Sequence, residues 1–131
     1  MIGVDTNILL RAITLDDPGQ SQIARQMLER LSDTEPGYIN SIVLSELAWT
    51  LERRHKYARG EVVAVMSALL GSTSFVIANR DEVRRALSRA EEDALDFPDA
   101  LLCELNLAAG CSTTVTFDKK AARSSGFSRA K

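Results

Sequence analysis

Four acidic residues stand where short apolar segments of the chain meet predicted helices. They are Asp5 in M-I-G-V-D-T-N, Glu46 in V-L-S-E-L-A-W, Asp99 in D-F-P-D-A-L-L and Asp118 in T-V-T-F-D-K-K. They lie far apart in sequence, so only folding can bring them together. Carboxylates that are packed together without a cation repel one another and shift each other's pKa. We therefore predict that a fold that gathers these residues uses them to hold a hard divalent metal ion.

Asp5 and Asp118 each follow a strand-like apolar segment and precede a predicted helix. An aspartate in this position often caps the helix, because its side chain accepts hydrogen bonds from free backbone amides. The same position also lies at the carboxyl edge of a parallel sheet, where open α/β sheets bind ligands. If the two strands are neighbours, the carboxylates converge, and Thr6 and Asn7 are candidates to orient Asp5. Both interpretations stay open at this stage.

Asp96 and Asp99 flank Pro98 at the start of another predicted helix. Proline is favoured in the first helical turn. One interpretation is a capping box, in which Asp96 caps the helix and Asp99 reaches back to its amide. The other is functional, since a helix start fixed by Asp96 would direct Asp99 toward the same sheet edge. The two interpretations are compatible.

Glu46 interrupts the apolar run I-V-L-S-E-L-A-W, which we predict to be a largely buried helix. Burial of an unpaired carboxylate costs several kcal/mol, so such a residue normally has a cationic partner or a metal ion. The alternative is a polar helix face on which Glu46, Thr50 and Arg53 line up at helical spacing.

Other chemistries lack the residues that they need. The chain has no Gly-rich phosphate loop and no G-x-S-x-G segment, and its single histidine, His55, lies in the basic run R-R-H-K. Cys103 and Cys111 do not form a disulfide framework or a zinc ligand set, and Cys103 is predicted to be a core thiol. Ligation by oxygen alone favours Mg²⁺ or Mn²⁺ over Zn²⁺.

Strand-like and helix-like segments alternate along the chain, which is typical of an α/β fold with a parallel sheet. We predict strands at 2–4, 38–40, 75–77 and 112–117. Helices are predicted at 8–12, 21–31, after Asn40 or Ser41, at 61–70, 81–92 and 96–109, and a small one from Lys119. No repeat, linker or low-complexity segment interrupts the pattern, so residues 1–131 are predicted to form a single domain.

The composition is that of a globular protein, with 45% hydrophobic residues and 26% charged residues among 131. The net charge is −2, but basic residues cluster in the run that starts at Arg53 and in the tail from Lys119 to Lys131. Such patches can hold a polyanion, although solvated helix ends would look the same. The start carries no basic segment of a secretory signal, and no apolar run approaches the roughly 20 residues that span a bilayer. We expect a cytoplasmic protein that has no membrane partner.

The order of D-T-N, S-E-L, D-F-P-D-A-L-L and T-F-D-K-K, together with the early segment L-L-R-A-I-T-L-D-D-P, resembles the PIN domain family. More narrowly, the chain resembles the VapC-type toxins of type II toxin–antitoxin pairs. The resemblance covers essentially the whole chain. Pro98 is a small departure, since it occupies a position that is often Ala or another helix former.

The resemblance implies a three-layer α/β/α domain with a small central parallel sheet of four to five short strands. It implies a metal-dependent endoribonuclease that uses Mg²⁺ or Mn²⁺, forms a homodimer and is silenced by a cognate antitoxin protein. The metal-binding and catalytic residues would be Asp5, Glu46, Asp99 and Asp118. Asn7, Asp96 and Thr116 would support them. Candidates to position the RNA backbone are Arg53, Arg54, Lys119, Lys120 and Arg123.

Two other functions are weighed against a ribonuclease. A phosphoacceptor signalling domain has a similar size and strand-end acids, but Asp5-Thr6-Asn7 and Ile77-Ala78-Asn79 do not supply its acidic pair and acceptor aspartate. A non-catalytic module would bind a partner protein or RNA without cleaving it. Cleavage of RNA that is lost in a folded Asp5→Asn variant distinguishes an enzyme from such a module.

Overall fold

Short strands alternate with helices throughout the computed structural model, which describes residues 1–131. The strands are β1 (Ile2–Gly3), β2 (Gly37–Ile39), β3 (Phe75–Ile77), β4 (Thr114–Thr116) and β5 (Phe127–Arg129). The helices are α1 (Thr6–Thr14), α2 (Pro18–Glu29), α3 (Ser41–Arg53), α4 (Arg59–Gly71), α5 (Arg80–Glu92) and α6 (Phe97–Ala108), and a short 3₁₀ helix spans Ala121–Arg123. No helix is both long and apolar enough to cross a membrane.

All the strands pair in parallel, which confirms the predicted α/β class. The strands β1, β2 and β3 form one sheet in that order, with Gly3 opposite Tyr38 and Ile39 opposite Ile77. The strands β4 and β5 form a second ladder, in which Val115 is opposite Ser128. The strands therefore form two hydrogen-bonded groups where the sequence predicts one central sheet. Because β1 and β4 share no ladder, Asp5 and Asp118 follow strands of different groups.

The helix boundaries differ from the predictions mainly around the turn between α1 and α2. Helix α1 ends before Leu15, which adopts the left-handed conformation with φ 59°. Helix α2 begins at Pro18, three residues earlier than predicted, because Asp17 accepts a hydrogen bond from the amide of Gln20 at 3.1 Å. Of the two predicted caps of α3, Asn40 and Ser41, the structure uses Asn40, whose Oδ1 accepts a hydrogen bond from the amide of Val43 at 3.0 Å.

The core is centred on one face of α3. The predicted apolar stripe of Leu44, Leu47 and Leu51 is buried, and each such side chain contributes about 1.5–3 kcal/mol on burial. Gly37 allows β2 to approach its neighbours, since a Cβ atom there would lie 2.8 Å from Val4 Cγ2. Tight packing at this point holds the start of β2 against the segment that leads to Asp5.

An ionic cluster joins α5 and α6 to the segment that precedes β5. The carboxylate of Glu104, only 8% exposed, lies 3.2 Å from Arg85 Nε and 3.5 Å from Arg89 Nη1. Arg89 Nη1 is also 3.0 Å from the sulfur of the buried Cys103, and its Nη2 donates to the carbonyl of Ser125. Gly126 follows with φ 86°, and a Cβ there would lie 2.6 Å from Cys103 Sγ. These contacts therefore hold α5 against α6 and also hold both helices against the segment that leads into β5.

Candidate active site

Asp5 lies two residues after the end of β1 and directly precedes the first residue of α1. Its backbone is extended, with φ −79° and ψ 156°, but its side chain makes no capping hydrogen bond. Neither Thr6 nor Asn7 orients it: Thr6 Oγ1 is buried without a hydrogen-bond partner, and Asn7 is exposed. The capping interpretation is therefore wrong for the side chain of Asp5, and its exposed carboxylate remains available to a ligand.

Asp118 caps the short 3₁₀ helix with one of its oxygens. Its Oδ1 accepts hydrogen bonds from the amides of Lys120 at 2.8 Å and Ala121 at 3.0 Å. Its own amide donates to Thr116 Oγ1 at 3.0 Å. The capping interpretation holds for Oδ1, whereas Oδ2 makes no hydrogen bond. These contacts fix the orientation of an exposed carboxylate that keeps one oxygen free.

Asp99 lies half-buried in the first turn of α6, where several other carboxylates influence it. Burial raises the pKa of Asp99, and the neighbouring charges of Asp96, Asp118 and Glu52 raise it further, in that order. The positive charge of Lys120 acts in the opposite direction. Of the predicted acids, Asp99 and Asp118 are therefore brought within electrostatic reach of each other.

Asp96 precedes α6 but does not form the predicted capping box. Its side chain makes no capping hydrogen bond, and its Oδ1 instead lies 3.0 Å from Nη2 of Arg59. This ion pair joins residues that are 37 positions apart, so the capping pattern at the start of α6 could not have predicted it. An ion pair to the first residue of α4 takes the place of the cap.

Glu46 is exposed, so the predicted burial is wrong at this position and the alternative, a polar face of helix α3, is confirmed. Helix α3 is amphipathic: its buried residues are Val43, Leu44, Leu47, Ala48 and Leu51. Glu46 lies on the other face, where it lines a cavity of about 440 Å³ together with Ser45, Trp49, Thr50 and Pro98. The apolar residues around Glu46 in sequence include Ile42 and Trp49, which are themselves 69% and 54% exposed. Pro98 lines the same cavity, which places Glu46 near the start of α6, the helix that carries Asp99.

Sequence reasoning missed two acidic residues. Glu52, near the end of α3, is close enough to Asp99 to raise its pKa. In sequence it reads as part of the charged helix end L-E-R-R, and only the packing of α3 against α6 reveals it. Glu104 interrupts the apolar run L-L-C-E-L, which is the signal that was applied to Glu46, and it is the glutamate that the structure buries.

The candidate ligands match a hard divalent cation in their chemistry. All the donors near Asp99 are carboxylate oxygens, and Mg²⁺ and Mn²⁺ prefer such ligands. Burial raises the pKa of Asp99 most, and repulsion from these carboxylates raises it further. A bound cation would relieve that repulsion. In the structure, no group of three or more acidic, histidine or cysteine side chains is arranged closely enough to hold a metal ion.

Basic residues lie on two sides of these acids. Lys119, Lys120 and Arg123 are exposed in the segment after Asp118. Arg53 and Arg54 are exposed at the end of α3. Arg54 also lines a second, strongly polar cavity of about 360 Å³ between α1 and α3. Asn7, two residues after Asp5, lines the same cavity.

The sequence profile of the PIN domain matches residues 2–126, which is nearly the whole chain. No curated protein matches it. The match contains every strand-end and helix-start acid described above and both cavities. The chain belongs to the PIN domain family, whose members are typically metal-dependent nucleases that act on RNA or other nucleic acids.

Proposed function

We propose that this protein is a metal-dependent endoribonuclease that hydrolyses RNA phosphodiester bonds and acts as the toxin of a VapBC-type toxin–antitoxin pair. The observation that carries the proposal is the half-buried Asp99, whose pKa is raised by burial and by a surrounding set of carboxylates. Carboxyl groups whose pKa is shifted by burial together with neighbouring charges are found preferentially at functional sites. Membership of the PIN domain family supports a nuclease in particular.

Asp5, Glu46, Asp99 and Asp118 would hold one or two Mg²⁺ or Mn²⁺ ions. Divalent ions in nuclease sites activate water as the nucleophile and neutralise charge on the phosphate and the departing oxygen. Asp118 suits this role because its Oδ1 is held by two backbone amides while its Oδ2 stays free. Asp5 offers both of its oxygens, since its side chain makes no capping hydrogen bond.

The supporting residues would fix these carboxylates in place. Thr116 accepts the amide hydrogen of Asp118 and so defines the turn that presents it. Asp96, held by Arg59, defines the start of α6 and adds negative charge beside Asp99. Asn7 follows Asp5 by two positions and would contact the substrate from the edge of the polar cavity.

The exposed basic residues would position the RNA backbone. These are Arg53 and Arg54 at the end of α3, and Lys119, Lys120 and Arg123 after Asp118. Contacts to phosphates fix the register of a nucleic acid without reading its sequence. Lys120 also lies near enough to Asp99 to lower its pKa, so it would connect the acidic and basic parts of the site.

We further propose that residues 1–131 form a single domain, and that the protein acts as a cytoplasmic homodimer. Its inhibitor would be a cognate antitoxin protein. The order and spacing of D-T-N, S-E-L, D-F-P-D-A-L-L and T-F-D-K-K support the toxin assignment. Expression of the protein alone should arrest growth of a bacterial host. Normal growth with active protein present would remove the toxin assignment and leave the nuclease assignment intact.

Incubation of the purified protein with total RNA, with and without Mg²⁺, tests the proposal directly. We expect cleavage that EDTA abolishes and that added Mg²⁺ or Mn²⁺ restores, with mapped ends that define the cut sites. Asp5→Asn, checked for folding by circular dichroism, should be inactive. Binding of RNA without cleavage under all conditions would favour the non-catalytic module. Stable phosphorylation by a small-molecule donor would favour the signalling domain.

A further inference from the structure

The polar cavity between α1 and α3 has the composition of an anion-binding site. It measures about 360 Å³, and only one of the residues that line it is hydrophobic. Three of its lining side chains carry basic nitrogen: Arg11, Arg54 and His55. We call this the basic cavity. It is far larger than the roughly 30 Å³ that a water molecule occupies in the liquid, so it can admit a phosphodiester group.

The charges in the basic cavity are not all compensated. Arg11 donates from Nε to Gln20 at 2.7 Å and from Nη1 to Asp16 at 2.9 Å, which fixes its guanidinium and leaves Nη2 free. Asp16 is the only acid that lines the cavity, and Arg11 and Thr14 both contact it. The side chain of Arg54 makes no hydrogen bond or ion pair within the protein. Two arginines and one aspartate line the basic cavity, so its net charge is positive. Arg54 supplies this charge, because Arg11 is paired with Asp16.

The basic cavity adjoins the proposed catalytic acids. Asn7, at one edge, lies two residues after Asp5. Thr50, at another edge, also lines the cavity that contains Glu46, so the two cavities meet at this residue. An RNA strand that runs from the proposed catalytic acids along α3 would therefore reach Arg54.

We infer that the basic cavity binds a backbone phosphate of single-stranded RNA next to the bond that is cleaved. Arg54 is the principal ligand, and Arg11 and His55 are additional donors. A guanidinium group with free donors pairs well with phosphate oxygens, and the ion pair of Arg11 pre-orients it for this role. A polar lining with one hydrophobic residue suits a phosphate better than a base. The inference rests on the proposed ribonuclease function, and it assigns Arg11 and His55 to substrate binding.

Arg54→Gln and Lys56→Gln form a matched pair for the test. Each removes one positive charge from an exposed residue, and the two positions are two residues apart, but Lys56 does not line the basic cavity. The probe is a fluorescein-labelled single-stranded RNA of mixed sequence. Binding is measured by fluorescence anisotropy in EDTA, which prevents cleavage, over a series of chloride concentrations.

Arg54→Gln should weaken binding about tenfold, since it removes a charged hydrogen bond. The slope of log K against log salt should become shallower by about 0.7, the value for one phosphate contact on a single strand. Lys56→Gln should weaken binding about twofold or less and leave that slope unchanged. His55→Gln should weaken binding in the same direction as Arg54→Gln.

Equal losses in Arg54→Gln and Lys56→Gln would overturn the inference, because they would indicate general attraction of RNA to this end of α3. So would an unchanged affinity in Arg54→Gln. Cleavage of RNA in Mn²⁺ is measured separately. Selective loss of binding in Arg54→Gln without any cleavage by the wild type would keep the phosphate site and reject the ribonuclease. Cleavage by the wild type with no selective loss of RNA binding in Arg54→Gln would keep the ribonuclease and reject the phosphate site.

Discussion

Glu46 and Glu104 occupy similar sequences and opposite environments. Each interrupts an apolar helical run, I-V-L-S-E-L-A-W in one case and L-L-C-E-L in the other. Glu46 is exposed and makes no ion pair, whereas Glu104 is 8% exposed and lies between Arg85 and Arg89. A buried carboxylate in this protein has its counter-ions supplied by the fold. Asp5 and Glu46 of the candidate active site, in contrast, are exposed and make no such ion pair.

Glu104→Gln should have the largest effect on folding. It removes the buried carboxylate beside the largely buried Arg89, which keeps only the more exposed Asp93, 3.8 Å from its Nε. Breaking a buried ion pair typically costs about 3 kcal/mol or more. Urea unfolding measures the free energy of unfolding directly. Glu92→Gln is the control, since Glu92 is exposed on α5 and makes no ion pair. A loss for Glu104→Gln no larger than for the control would show that the cluster is not a stabilising element.

Added Mn²⁺ should stabilise the wild-type protein by a similar amount. A ligand at about 100 times its dissociation constant contributes about 2.7 kcal/mol when it binds only the folded state. The measurement is the melting temperature with Mn²⁺ and with EDTA. Asp99→Asn should lose most of the shift, whereas Glu104→Gln should keep it despite a lower starting stability. An equal shift in Asp99→Asn would place the metal elsewhere.

Asp99→Asn should raise stability at pH 7 in EDTA while it lowers RNA cleavage at least about 100-fold. The folded pKa of Asp99 is raised above its ordinary value of 3.8, so its ionised form destabilises the folded state. This penalty is fully present above the folded pKa and disappears as the pH falls toward 3.8. Urea unfolding should show a smaller difference in the free energy of unfolding between Asp99→Asn and the wild type at pH 4 than at pH 7. Asp33→Asn, at an exposed residue without an ion pair, is the control for the loss of one surface carboxylate.

Glu46→Gln should change stability least, within about 0.5 kcal/mol, because Glu46 is exposed and unpaired. RNA cleavage should nevertheless fall about 10- to 100-fold, as expected when a residue of a metal site is altered. Thermal unfolding and initial cleavage rates are measured on the same preparation. Full activity in this variant would remove Glu46 from the site and weaken the contrast with Glu104.

Much of the fold could be predicted from local sequence. The strand at 75–77 and the Asn40 cap of α3 agree with the structure because apolar patterning and capping chemistry act over a few residues. The strand β5 was not predicted, since Phe127–Arg129 becomes a strand only by pairing with β4. The burial of Glu46 was predicted wrongly because apolar neighbours in sequence do not reveal which face of a helix is covered.

The candidate site was predictable in its residue types but not in its partners. Asp5 and Asp118 lie at the ends of β1 and β4 as the patterning indicated. The influence of Glu52 on Asp99 and the ion pair of Arg59 with Asp96 depend on how helices pack, which short-range patterns do not encode. The basic cavity could not be predicted from short-range patterns either, because it combines Arg11 of α1 with Arg54 and His55 at the end of α3.

The separation of the strands into two ladders has a consequence for how the acids can be tuned. Asp5 is anchored by the three-stranded sheet and Asp118 by the two-stranded one, so no shared row of backbone hydrogen bonds sets the gap between them. Side-chain contacts must therefore set that gap, and α6 supplies one of them, since Asn106 Nδ2 donates to Thr114 Oγ1 at 2.9 Å. Substitution of interior residues of α6 is therefore expected to change the affinity of the proposed metal site while every carboxylate stays unchanged.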